Sequence, residues 1–294
     1  MGSSRLHVIL IVVALGGAAG VVWLAVARPW GAPAAETATA HEAGARRRAA
    51  PTPPALPPAL APGRSVRLTV LMYHHVGSAP VGAQGWVRDL YVPTARFAHD
   101  LGRLREHGCC VMTMTQALWL IAEDRLPARA VVLTFDDGYL DNYTLAAPLL
   151  RQYSVAGTFS VVVSKIGDGK HMTRAQLGEL AAAGHEIGCH SLTHPDLRRV
   201  NDERLEREVA GAKGDLEAAL GRPVLTYCYP DGKYDARTVR AVEAAGYRAA
   251  LATGLPAGHF DTGQPFAIGR YRVTPRKQIP AALLQDRSEK TGHE

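Results

Sequence analysis

"VVLTFDDGY", residues 131–139, is the stretch that decides the fold. Val131 to Phe135 is an unbroken run of apolar and β-branched residues that passes straight into Asp136-Asp137-Gly138. Such a run, bounded by a turn signal, reads as a strand buried on both faces, as in a parallel sheet. Two carboxylates therefore stand where a buried strand ends. Neighbouring side chains leave the backbone in different directions, so Asp136 and Asp137 do not make a symmetric pair. They suit divided labour, one binding a cation and the other accepting a proton. The plainer alternative is a loop that only turns the chain and caps the next helix.

Outward from this strand the pattern repeats. Strand-like segments are expected at Leu68–Tyr73, Ala130–Phe135, Gly157–Val163, His185–Cys189, Val224–Tyr229, Arg248–Ala252 and Phe266–Tyr271. Helical patterns lie between them. Phe97, Leu101 and Leu104 recur on one helical face, as do Leu205, Val209 and Leu216. Thr173 reads as an N-cap, with Gly184 closing that helix. Alternating strands and helices imply an α/β fold with a parallel sheet. Seven or eight units over about 210 residues suit a closed or nearly closed (β/α) barrel, whose chemistry gathers at the carboxyl ends of the strands.

Three other strand ends carry chemistry. "GHEIGCHSLTHPDL", residues 184–197, places His190 and His194 four apart, a spacing at which two imidazoles can share a metal. With a strand-end carboxylate they make three protein ligands and leave a fourth position open, as in catalytic zinc sites. "LTYCYPDGKYD", residues 225–235, is a strand running into a Pro-Gly turn, where the Asp231 N–H can face an oxyanion. "VLMYHHV", residues 70–76, ends in two imidazoles. Strand alternation puts Val70, Met72 and His74 on one face and Leu71, Tyr73 and His75 on the other, so only one histidine can point into the site.

"TFDDG", "HSLTHP" and "YPDG", in this order, resemble the first three motifs of the polysaccharide deacetylase family, the NodB-homology domains of carbohydrate esterase family 4. The resemblance spans roughly residues 66–275. It implies a distorted (β/α)7–8 barrel and metal-dependent removal of acetyl groups from glycans. It also implies Asp136 as general base, with Asp137, His190 and His194 as ligands of a divalent cation. Zn2+ is the expected metal, and Co2+, Ni2+ or Fe2+ are the alternatives. Tyr229 and Asp231 of the third motif are expected at the oxyanion or substrate.

The chain departs from the family pattern twice. The motif-three arginine that positions the base is replaced by Cys228, and Arg270 or Arg272 is expected to stand in for it, Arg270 first. No Leu-x-His motif supplies a late general acid; His259 falls in a Gly-rich loop and His293 in the tail. The early "LMYHHV" strand and the absent late histidine resemble the subgroup acting on poly-β-1,6-N-acetylglucosamine, in which an early Tyr-His supplies the acid. That resemblance selects His74 as the proton donor and leaves His75 as a structural or rim residue. The alternatives are a peptidoglycan, chitin-type or xylan deacetylase, or an impaired glycan-binding module. A paired-carboxylate glycosidase fits poorly, because it needs two separated acids flanking the bond.

The two ends of the chain bear on where it works. Residues 8–27 contain no charge, long enough at about 1.5 Å per residue to cross a core of roughly 30 Å. We read residues 1–30 as an uncleaved membrane anchor with Trp23 and Trp30 near its outer end; a cleaved signal ending at Ala25-Val26-Ala27 is the rival. The Arg46–Arg48 cluster opposes that orientation mildly. Residues 31–65, rich in Pro and Ala, read as a linker, 66–280 as the folded domain and 281–294 as a tail. The domain is expected outside the cytoplasm, in the periplasm or at the cell surface. Six of the 33 Lys and Arg residues precede residue 66, against two acids, so the excess of positive charge belongs largely to the arm. Nucleic-acid binding is not expected. Buried free thiols are expected at the four cysteines, with a Cys189–Cys228 bridge as the alternative.

Overall fold

Ala130–Phe135 does form a strand, and every one of its six residues is buried. The computed structural model describes residues 57–280. The expected anchor or signal segment, most of the linker and the tail lie outside the described residues. No described helix is long and apolar enough to cross a membrane.

Eight strands form the main sheet: β1 (Thr69–Tyr73), β2 (Cys110–Met112), β3 (Ala130–Phe135), β4 (Thr158–Val161), β5 (Glu186–Cys189), β6 (Thr226–Cys228), β7 (Ala249–Leu251) and β8 (Tyr271–Arg272). Their spatial order is β7-β6-β5-β4-β3-β1-β8, with β2 also against β3, and every pairing is parallel. The sheet curls. A parallel bridge between Leu251 and Ile268 lays the segment entering β8 along β7, so the two edges approach each other. The expected barrel is thus present as a curled parallel sheet.

Alternation sorts the strand residues into two layers. Leu71, Tyr73, Leu133, Phe135, Phe159, Ile187, Cys189 and Tyr227 belong to the larger core, with the covering helices. These helices include α1 (Thr94–Glu106), α3 (Arg174–Ala182), α4 (Ala212–Leu220) and α5 (Ala236–Ala244). Val70, Val132, Cys228, Leu251 and Ile268 belong to a second core inside the curl, which α2 (Met114–Ala122) plugs with Met114, Ala117, Leu118 and Ile121. Glu186, at the start of β5, ties the plug down by accepting from the Thr115 N–H and from the hydroxyls of Thr115, Thr158 and Thr226. Apolar packing fills one end of the curl, and polar chemistry is left to the other.

The N-cap expected at Thr173 is a full capping box with Gln176, and Gly184 follows the helix at φ +93°. Two expectations change. Cys189 and Cys228 lie in different cores on opposite faces of the sheet, and all four cysteines are free thiols, so the alternative disulfide does not form. Residues 57–65, assigned to the linker, are fastened to the domain. The Pro57 carbonyl accepts from Arg248, the Ala61 carbonyl accepts from Thr262, and Ser65–Val66 pairs with Phe260–Asp261.

Candidate active site

The carboxyl end of β3 supplies both aspartates. The Asp136 N–H continues the ladder by donating to the Tyr73 carbonyl at 3.0 Å. At Asp137 the chain turns left-handed, φ 71°. Gly138 follows at φ +81°, where a Cβ would meet Val161 Cγ1 at 2.9 Å, so only glycine fits. This turn sends the two carboxylates apart, as adjacent side chains require.

Asp136 points into the curl and is 2% exposed. Arg270, just before β8 and two strands away from β3, grips it, Nη1 to Oδ1 at 2.7 Å and Nη2 to Oδ2 at 2.8 Å. The guanidinium is held in turn by the Ala252 carbonyl and the Thr134 hydroxyl, and it lies 3.2 Å from Cys228 Sγ. Burial alone would raise the Asp136 pKa, but Arg270 and then His190 hold it well below the usual carboxylate range. Arg270, expected to replace the missing motif-three arginine, is therefore paired with Asp136. Arg272 is not on it.

Asp137 faces the histidines. Its Oδ1 lies 3.6 Å from Nε2 of both His190 and His194, and one donor atom from each of the three residues falls within 4.8 Å of the others. His190 Nδ1 sits 2.7 Å from the Cys228 carbonyl, which only accepts, so Nδ1 carries the proton and Nε2 keeps its lone pair. This second-layer bond sets the tautomer a metal ligand needs. One carboxylate and two imidazoles fit a divalent cation of the zinc type. A second trio, Asp136, His190 and Cys228, is equally close. It fits poorly, because Arg270 occupies both Asp136 oxygens and burial raises the Cys228 thiol pKa far above its ordinary value.

The segment between the two histidines is not helical. Ser191 and His194 are both left-handed, φ 66° and 64°, and Ser191 Oγ accepts from the His194 N–H at 2.8 Å. Pro195 excludes helix at His194, and the i, i+4 pair meets through this tight turn instead. Glu208, 2% exposed, braces the turn by accepting from the Thr193 N–H at 2.8 Å and from the Thr193 hydroxyl. It sits in a π-helical turn, Arg207–Gly211, a distortion often found at functional sites. Sequence reading passed over Glu208. Its signal was an acid beside the apolar stripe of Leu205, Val209 and Leu216.

The histidine pair of "VLMYHHV" separates as alternation demands. His75 turns outward, its Nδ1 2.5 Å from Asp141 Oδ2 and its ring stacked between Tyr91 and Tyr139 at 3.9 and 3.6 Å. His74 continues the inner face. Its carbonyl accepts from the buried Asn142 amide at 2.7 Å, and it is close enough to Asp136 and Asp137 to feel both charges. Burial nevertheless lowers its pKa. Tyr139, also missed in the sequence, lies near Asp137, and burial and then the Asp137 charge raise its pKa.

At the third motif, Asp231 is left-handed at φ 56°, and its N–H makes no hydrogen bond among the described residues. Gly232 beside it cannot be replaced, since a Cβ would lie 1.9 Å from Thr253 Oγ1. Tyr229 is a correction. Its ring is fully buried in the outer core against Tyr234, and its hydroxyl donates to the Phe266 carbonyl, so it does not reach the site.

Comparison with known proteins gives the family. A family model described as polysaccharide deacetylase matches residues 123–250, which include Asp136, Asp137, His190 and His194 but neither His74 nor Arg270. YxkH of Bacillus subtilis (strain 168), whose name assigns it to the polysaccharide deacetylases, is 30% identical over 213 residues, 72% of this chain and 73% of that protein. The chain belongs to the polysaccharide deacetylase family. Membership implies hydrolysis of carbon–nitrogen bonds as the class of reaction, in a family that uses a divalent metal. A peptidoglycan-N-acetylglucosamine deacetylase of Bacillus cereus is 30% identical over 124 residues, 42% of this chain and 56% of that protein. Among solved structures, the deacetylase PplD of Streptococcus pyogenes superposes with a TM-score of 0.68 at 24% identity, covering 76% of this chain and 99% of that one. IcaB from Ammonifex degensii gives a TM-score of 0.60 at 24% identity, covering 71% and 93%. Both likenesses are of fold.

Proposed function

We propose that this deacetylase removes N-acetyl groups from an N-acetylglucosamine polysaccharide, with Zn2+ as the metal and poly-β-1,6-N-acetylglucosamine as the substrate. The observation that carries the reaction is the division of the strand end. Asp137 is turned toward two histidines, while both oxygens of Asp136 are clamped by Arg270.

When bound between Asp137, His190 and His194, the cation supplies Lewis acidity that strengthens water as a nucleophile and polarises the acetyl carbonyl. Asp136, ionised through its pairing with Arg270, takes the proton from the attacking water. Arg270 fixes the direction of that carboxylate. The unused Asp231 N–H offers a donor to the oxyanion. His74, in its protonated form, gives its proton to the departing nitrogen. The products are acetate and a free amino sugar.

The choice of poly-β-1,6-N-acetylglucosamine rests on the position of the acid. It comes from the first strand of the sheet, as in the subgroup that the early "LMYHHV" segment resembles. Acetate release from that polymer, set against chitin oligomers and peptidoglycan with and without chelator, tests the reading. Preference for the β-1,6 polymer supports it, while faster release from peptidoglycan or chitin replaces the substrate. Chelator-resistant activity sinks the mechanism. His74→Gln is expected to lower kcat about 100-fold or more while bound zinc stays stoichiometric. We also propose that residues 8–27 anchor the chain and hold the domain outside the cytoplasmic membrane, which protease accessibility in intact cells would check.

A further inference from the structure

Two arginines of the last strand were candidates for holding the base, and the structure uses only Arg270. Arg272 is left over. It pairs with Met72 in the register of β8 against β1, and alternation puts it on the same inner face as Arg270. Being two residues further toward the strand's carboxyl end, it stands about 6.5 Å nearer the mouth of the site. On the neighbouring strand, His74 is likewise two residues past Met72. Arg272 and His74 therefore flank the same side of the opening, and the charge on Arg272 is felt by His74.

The Arg272 guanidinium forms no hydrogen bond or ion pair with any described residue, and its Nε is shielded from water without a partner. A shielded donor left without a partner is unfavourable. The local acids do not compensate it. Asp136 is taken by Arg270, Asp137 faces the metal ligands, and Asp231 pairs with Lys233. A planar cation with open donors at the rim of a catalytic site suits a planar anion that grips two of them at once.

We infer that Arg272 is a carboxylate-binding position at the mouth of the site, filled by a group that arrives with the reaction. Two sources share that chemistry: the acetate released by the enzyme, and a carboxylate carried by a sugar next to the one being deacetylated. In either case the anion also offsets the positive charge that forms when the product amine takes its proton beside Arg272. This inference rests on the deacetylase reading for both sources, while acetate binding at Arg272 can be measured without it.

Arg272→Gln and Arg272→Lys, in the zinc-loaded protein, test it. The first arm measures acetate binding by calorimetry and acetate inhibition of deacetylation. The second compares KM for an N-acetylated oligosaccharide bearing a carboxylate with KM for its carboxyl-reduced counterpart. If acetate is the occupant, Arg272→Gln weakens acetate about tenfold or more, and Arg272→Lys retains part of it. If the sugar carboxylate is the occupant, Arg272→Gln removes about a tenfold preference for the acidic oligosaccharide and leaves acetate unchanged. Unchanged values in both arms, in variants with wild-type zinc content and melting temperature, overturn the inference. Should the wild-type protein deacetylate no glycan, the proposed function fails, and acetate binding by calorimetry still decides the role of Arg272. Should Arg272→Gln fail to fold, Arg272→Lys decides instead, since an acetate affinity and acid preference both equal to wild type would count against bidentate recognition.

Discussion

The base side and the metal side of the site are built in opposite ways. Asp136 stands on nearly regular strand backbone and is aimed by a long-range partner, Arg270, whose other contacts come from β3, β6 and the residue after β7. Asp137, His190 and His194 are aimed locally. Three left-handed non-glycine residues, Asp137, Ser191 and His194, bend the chain so that the ligand atoms converge. Each such residue costs about 1–3 kcal/mol and persists only where surrounding contacts over-determine it. Here those contacts are Ser191 Oγ on His194 and Glu208 on Thr193. One side is rigid because a distant charge holds it, the other because a tight turn is pinned from behind.

Removing the base itself separates the two sides most sharply. Asp136→Asn is expected to lower kcat by about 10²–10⁴ while zinc content remains stoichiometric. Parallel loss of metal would show that the sides are one unit. Next in size is Arg270→Lys, which keeps a charge but gives up the two-point grip. Misplacing a catalytic group by about 1 Å can cost around 100-fold, so kcat is expected to fall by about that factor with zinc affinity unchanged. The corresponding cut on the metal side is Glu208→Gln. It should weaken zinc about 10- to 100-fold in chelator competition, while kcat at saturating zinc changes far less. Unaltered zinc affinity would make Glu208 a packing residue only.

The smallest effect is a control away from both sides. His185 Nδ1 accepts from the Gly157 N–H, and burial lowers its pKa to about 4. The folded state therefore disfavours the protonated ring. Its contribution to stability is full above about pH 6.5 and is lost as pH falls toward 4, on the order of 2–3 kcal/mol in total. The melting temperature should drop more steeply from pH 7 to 5 in the parent protein than in His185→Gln, with zinc affinity equal in both at pH 7.

The same contrast explains what could be read from the sequence. Asp137, His190 and His194 were legible because local turns leave local signatures, an Asp-Asp-Gly and a His-x-x-x-His-Pro. The strand β3 was legible to the residue because it is apolar on both faces. Alternation alone separated His74 from His75. Arg270 was found only as a replacement for something absent, since no local pattern announces a partner 134 residues away. Tyr229 misled because a motif position says nothing about which way the ring turns at the residue after a three-residue strand. The strand Cys110–Met112 escaped notice because so short a segment has no measurable period. Glu208 escaped because a buried acid near an apolar stripe looks like an exposed one until the turn it braces is seen.

The seam between β1 and β8 has a consequence for how the protein comes into being. His74 is on the first strand of the sheet to be synthesised and Arg270 just before the last, yet β1 and β8 pair side by side. A growing chain carries all three metal ligands and the base long before the residue that aims the base emerges. The centre is assembled by the final strand, so a nascent domain stays inert until its two ends meet. A version cut open elsewhere, with β8 joined directly to β1, should complete the same centre in a different order.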